Sequence, residues 1–111
     1  MLDKLMKNAQ MAVGAEVVQK LAGVKADICF LGTNSIDLEH GITDLEWEII
    51  EVKKAMIQAA KKTVSLSISE KLNSSQRLSV CPIEDVNILV TELAVNDSKL
   101  EPYRLKGIQL L

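Results

Sequence analysis

The sequence predicts an α/β fold with three layers, a mostly parallel sheet flanked by helices. Two observations carry this. The spacing of apolar residues switches repeatedly between the period of a helix and that of a strand. The two clearest strand-like runs are also separated by a helical one, the order that favours parallel pairing through a crossover.

In chain order, residues 15–22 read as a short helix, with Val17, Val18 and Leu21 apolar and Gly23 behind them. Ile28-Cys29-Phe30-Leu31, ended by Gly32, is a continuous apolar run and predicts a strand buried on both faces. Residues 44–62 predict a helix, because Leu45, Ile49, Val52, Met56 and Ala59 recur at steps of four and three. Its start is marked by Thr43-Asp44-Leu45-Glu46, a capping-box pattern, with Ile42 and Trp47 placed for a hydrophobic staple.

Thr63 to Ser69 alternates apolar and small polar residues and predicts a strand with Val64, Leu66 and Ile68 on one face. Its serines suit either solvent or a closely packed helix. Residues 73–86 are irregular, and Asn87–Thr91 predicts a third strand. Ser98-Lys99-Leu100-Glu101 repeats the capping-box pattern, with Pro102 in the first turn and Gly107 as the stop. Ile108–Leu111 then predicts a final short strand. Residues 1–14 carry Leu2, Leu5, Met6 and Met11 without a clean cap. They are expected to be the remnant of a preceding part of the domain, with residues 15–111 its C-terminal portion. A sheet of about four strands is small, so a homo-oligomeric contact along its edge is expected.

The 111 residues carry 13 Lys+Arg against 15 Asp+Glu, a formal net charge of −2, which argues against a general electrostatic grip on nucleic acid. No apolar run approaches the ~20 residues of a membrane helix, and no signal peptide is evident. Cys29 and Cys81 form no metal or redox motif and are expected to be free thiols of a cytoplasmic protein. No cofactor or metal motif is present, and no GxSxG, HExxH, Walker A or GxGxxG pattern.

In an open parallel sheet, ligands bind beyond the carboxyl ends of the strands. That rule selects Gly32-Thr33-Asn34-Ser35-Ile36-Asp37, then Ser69-Glu70-Lys71, then Glu92. If the first two strands are neighbours, Thr33, Asn34, Ser35, Asp37 and Lys71 converge on one rim and bring hydroxyl, amide, carboxylate and ammonium groups, a set suited to a polyhydroxylated anion. Each also has a plainer reading. Asn34 and Asp37 suit Asx turns, Gly32 a tight turn, Lys71 a solvated surface position, and His40 a solvated loop.

The same residues resemble a known family. Residues 26–37 (ADICFLGTNSID), Gly41-Ile42-Thr43 and residues 51–57 (EVKKAMI) follow the pattern of the C-terminal sensor domain of DeoR-family bacterial transcription regulators. The likeness continues through Lys71, residues 81–91 (CPIEDVNILVT) and Gly107-Ile108-Gln109-Leu110, covering about residue 13 to the C-terminus. The resemblance implies a domain related to sugar-phosphate isomerases that senses a phosphorylated sugar and controls a helix-turn-helix DNA-binding domain outside this chain. It places Lys53 and Lys71 on anionic oxygens, Asn34 and Asp37 on sugar hydroxyls, and Thr33 and Thr43 in minor contacts. Two positions depart from the pattern: Ile68 and Glu92 stand where the family usually has Asp. The family's phosphate loop has no counterpart in this sequence. The alternative is an isomerase- or deaminase-like enzyme, for which Asp37 with His40 is the one plausible acid–base pair.

Overall fold

The computed structural model describes residues 14–111. The expectation for residues 1–14 therefore lies outside the described residues, apart from Gly14. Helical residues 14–21 (α1) lead into β1 (Ala26–Gly32), β2 (Ser35–Asp37) and β3 (Gly41–Asp44). Helix α2 (Trp47–Ala59) runs directly into β4 (Ala60–Leu66), followed by β5 (Leu78–Cys81) and β6 (Ile88–Val90). Helix α3 (Glu101–Leu105) and β7 (Gln109–Leu110) close the chain. Single 3₁₀ turns lie at Ser69–Lys71, Ile83–Asp85 and Ser98–Leu100.

The α/β architecture matches the expectation. Four strands form a parallel sheet in the order β1-β4-β6-β7. A second sheet, β2-β3-β5, is antiparallel and occupies parts of residues 33–37 and 73–86, where the sequence predicts loops. Its hairpin turns at Gly41, whose φ of +72° places it in the left-handed region. A Cβ there would overlap the carbonyl oxygen of Cys81 and the nitrogen of Ile83.

Register and pleat decide which residues meet the core. Cys29, Leu31, Ser65 and Leu89 share one face of the parallel sheet, and all are buried. Cys29, Leu31 and Leu89 join Ile36, Ile42, Ile50, Val80, Ile83 and Tyr103 in a single core between the two sheets, α2 and α3. The other face carries Ile28, Phe30 and Leu66, exposed by 43, 60 and 42%. The expectation that β1 is buried on both faces is thus corrected: β1 is an edge strand, and its second face is only partly covered among the described residues. For β4, the apolar stripe Val64, Leu66, Ile68 is buried only at Val64, while Ser65 and Ser67 point inward and are buried.

The serines are tolerated inside because their hydroxyls satisfy one another. Ser65 Oγ lies 2.6 Å from Thr33 Oγ1 and 2.9 Å from Ser67 Oγ. Cys29 and Cys81 are both free and buried, and burial pushes the Cys81 thiol up to about 11.

The predicted start of the long helix is also corrected. Thr43 lies in β3, α2 begins at Trp47, and its N-cap, Glu46, makes no side-chain cap hydrogen bond. Strand pairing with β2 and β5 claims Thr43 before a capping box can form. At the other end of the chain, Asp97 rather than Ser98 caps, its Oδ1 accepting the Lys99 N–H at 2.8 Å. Pro102 sits in the first turn of α3 and Gly107 (φ +90°) follows it, as the sequence indicated.

Candidate functional site

Gly32, Leu66 and Val90 end β1, β4 and β6, and the three are direct register partners. Their loops therefore leave the sheet side by side. The backbone continues the alignment past the strands: Thr33 N–H donates to Leu66 O and Ser67 N–H to Val90 O, each at 3.0 Å. A parallel bridge between Ile36 and Leu72 then sets residues 34–36 alongside 70–72. Asn34 and Lys71 consequently share one rim of the molecule. This is the switch from ordered strand to loop where open parallel sheets hold ligands.

Asn34 is exposed, and its Nδ2 donates to Asp44 Oδ2 at 3.1 Å. Asp44 is the acid that sequence reading missed. It was assigned to a capping box, but lies at the end of β3 with its side chain 4% exposed. Lys53 Nζ donates to Gly32 O at 2.7 Å and to Asp44 Oδ2 at 3.3 Å. Burial opposes ionisation of Asp44, but the Leu45 N–H, the Lys53 ammonium and the Asn34 amide outweigh it and hold the carboxyl below its ordinary value. The signal that could have found it is positional: an Asp at a strand end, nine residues before an inward-facing Lys on the next helix.

Lys71 is half-buried at the end of its 3₁₀ turn and forms no ion pair among the described residues. Two donors of Lys53, by contrast, are committed to protein oxygens. Its place in the structure is to tie α2 to the rim.

The remaining sequence-selected residues face elsewhere. Thr33 is buried, its hydroxyl paired with Ser65. Thr43 is 3% exposed, and its Oγ1 accepts the Gln76 N–H at 2.8 Å while meeting Ser35 Oγ at 2.6 Å. Asp37 lies at the opposite end of the β2–β3 hairpin from Asn34, where its carboxylate accepts from the His40 N–H and pairs with His40 Nδ1 at 2.9 Å. Burial raises the Asp37 carboxyl, and the His40 bonds more than reverse that; the same contact raises His40. This pair closes a turn. The rim thus gathers Asn34, Asp44, Lys53, Ser69, Lys71 and Glu92, and leaves Asp37, Thr33 and Thr43 in supporting positions.

A larger cleft, about 620 Å³, lies between α1, α2 and the edge of β1. Val17, Phe30, Ile49, Val52 and Met56 make its lining mainly apolar, and of its charged members Glu46 and Glu48 would repel an anion while Lys53 is held by Gly32 and Asp44. Among the described residues, no helix is long and apolar enough to cross a membrane.

A family model described as the DeoR C-terminal sensor domain matches residues 3–93. The chain is 31% identical over 108 residues to the HTH-type transcriptional repressor GlcR of Bacillus subtilis (strain 168), covering 97% of the chain and 42% of that relative. It is 22% identical over 107 residues to the HTH-type transcriptional regulator GlpR of Haloferax volcanii, again 42% of the relative. It is 23% identical over 96 residues to the HTH-type transcriptional regulator GolR of Listeria innocua, 37% of that protein. The chain thus spans about two-fifths of the length of these curated relatives.

Proposed function

Because the chain belongs to the DeoR C-terminal sensor domain family, we propose that it is the effector-sensing part of a transcriptional regulator and takes a phosphorylated sugar at the sheet rim. The observation that carries this reading is the side-by-side ending of β1, β4 and β6, which brings Asn34 and Lys71 together. Lys71 supplies an ammonium for phosphate oxygens. Asn34, already polarised by Asp44, supplies an amide for sugar hydroxyls. Lys53 and Asp44 fasten the loop that carries Asn34. Thr33, Thr43 and Asp37 act behind this layer, by fixing the loops that carry it.

Sensing then proceeds by population shift. A ligand bridging the loops after β1 and β4 favours one arrangement of those loops, and that preference is coupled to a helix-turn-helix domain outside this chain. The working unit on this reading is a cytoplasmic homo-oligomer that meets DNA through the outside domain. Coupling needs binding without turnover, which agrees with relatives that are transcriptional regulators. The use of Asp37 and His40 to close a turn gives the enzyme alternative no support.

The test is a melting-temperature screen of this chain with pentose and hexose phosphates beside the matching unphosphorylated sugars. A ligand at roughly 100 times its Kd stabilises by about 2.7 kcal/mol. A phosphorylated sugar should raise the melting temperature where its parent sugar does not, and Lys71→Ala should abolish the difference. Equal responses to both sugars, or an unchanged response in Lys71→Ala, would contradict the reading.

A further inference from the structure

Ser69 is gripped from two sides. Its N–H donates to Glu92 Oε1 at 2.8 Å and its hydroxyl to Glu92 Oε2 at 2.6 Å. Its carbonyl accepts from Lys99 Nζ at 3.0 Å. The Thr91 hydroxyl donates to Glu92 Oε1 at 2.9 Å and steadies the carboxylate. Three segments therefore meet at one residue: the turn after β4, the loop at the tip of β6, and the 3₁₀ turn Ser98–Leu100.

The segment so held is short. Lys71 N–H donates to Ile68 O at 2.9 Å and Leu72 N–H to Ser69 O at 3.2 Å, closing one 3₁₀ turn. Its far end is fixed by Leu72, which is buried in the core beside Ile36. Its near end follows Ile68, whose side chain is 54% exposed. The grip on Ser69 anchors the turn itself, two residues before Lys71.

We propose that Glu92 and Lys99 are positioning residues, which fix the Ser69–Lys71 turn so that the Lys71 ammonium is held toward an anion at the rim. The ligand half of this inference rests on the function proposed above; the clip itself rests on geometry alone. Glu92 acts through Ser69 and not on the ligand, since a carboxylate there would repel an anion and both its oxygens are already taken. The Ser69 hydroxyl and N–H, its own N–H and the Thr91 hydroxyl hold its carboxyl at about 2. The clip therefore stays closed wherever a phosphate group is charged. Lys99, from the Ser98–Leu100 turn, brings a second positive charge to the Ser69 carbonyl.

The test compares the unmodified chain with Glu92→Ala, Glu92→Asp and Lys99→Met by two readouts. The first is amide exchange of residues 69–71 without ligand. The second is the Lys71 side-chain NMR signal titrated with inorganic phosphate, with the melting temperature recorded alongside. Glu92→Ala should speed exchange at these amides by about tenfold, the equivalent of about one charged hydrogen bond, and should weaken the phosphate response several-fold. Lys99→Met should do both to a smaller degree, and Glu92→Asp should restore part of what Glu92→Ala loses. A lower melting temperature with unchanged exchange and phosphate response would overturn the proposal, leaving Glu92 a purely stabilising residue. If exchange depends on Glu92 but the unmodified chain shows no phosphate response, the phosphate reading falls together with the ligand half, and the clip stands.

Discussion

Lys53 Nζ, on α2, donates to the carbonyl oxygen of Gly32 at 2.7 Å, fastening the helix to the end of β1. The same ammonium neutralises Asp44, so one side chain joins the helix, the parallel sheet and the small antiparallel sheet at the rim.

Removing that ammonium leaves Asp44 ionised at a site where its side chain is 4% exposed. Lys53→Met should cost about 2–3 kcal/mol, the penalty of an uncompensated, largely buried charge. The double change Lys53→Met/Asp44→Asn should cost clearly less than the sum of the two single changes, because neither charge is then stranded. Denaturant midpoints of the four chains check both statements.

Acid should weaken the fold in a defined direction. The Asp44 carboxyl lies below its ordinary 3.8 in the folded chain, so the unfolded chain takes up the proton first. Its contribution is complete above about pH 4 and is lost as the pH falls through the lower folded value. Glu92 behaves likewise between its ordinary 4.5 and about 2. Denaturant midpoints measured from pH 7 down to pH 2.5 should fall more steeply below about pH 4.5 for the unmodified chain than for Asp44→Asn or Glu92→Gln. Parallel curves would contradict this.

Gly41→Ala tests the hairpin that carries Thr43 and Asp44 into place. Gly41 has φ +72°, and a Cβ would run into the Cys81 carbonyl and the Ile83 nitrogen, both backbone atoms that cannot rotate away. The expected outcome is a loss of about 3 kcal/mol or more, from backbone strain plus overpacking. Gly107→Ala, with a positive φ but nothing near its Cβ, should cost about 1 kcal/mol. Circular dichroism melts of the two variants separate these cases.

Much of this architecture is legible in the sequence, because hydrophobic period reports helices and parallel strands directly. The four parallel strands and the long helix are readable from Ile28–Leu31, Val64–Ile68, Ile88–Val90, Ile108–Leu110 and the spacing of Ile49, Val52 and Met56. The small sheet is not, since β2 is three residues long with two of them polar, and β3 meets β5 only across more than thirty residues of sequence. That omission misplaced Thr43: its local capping pattern is real, but tertiary pairing with β2 and β5 overrides it. The rim was legible for Asn34 and Lys71 through the strand-end rule. The partner of Asp37 is not legible either, because only the hairpin shows that it pairs with His40. Asp44 and Glu92 act by contacts 9 to 23 residues away, which no local pattern encodes.

The most direct measurement is a backbone NMR titration of this chain with sugar phosphates drawn from the pentose and hexose series. Shifts should gather at residues 32–36, 67–72 and 91–92, where the three strands end, and leave the amino ends of those strands, near Ala26, Ala60 and Asn87, undisturbed. Shifts concentrated at those amino ends, or none with any sugar phosphate of the series, would contradict a binding rim built on Asn34 and Lys71.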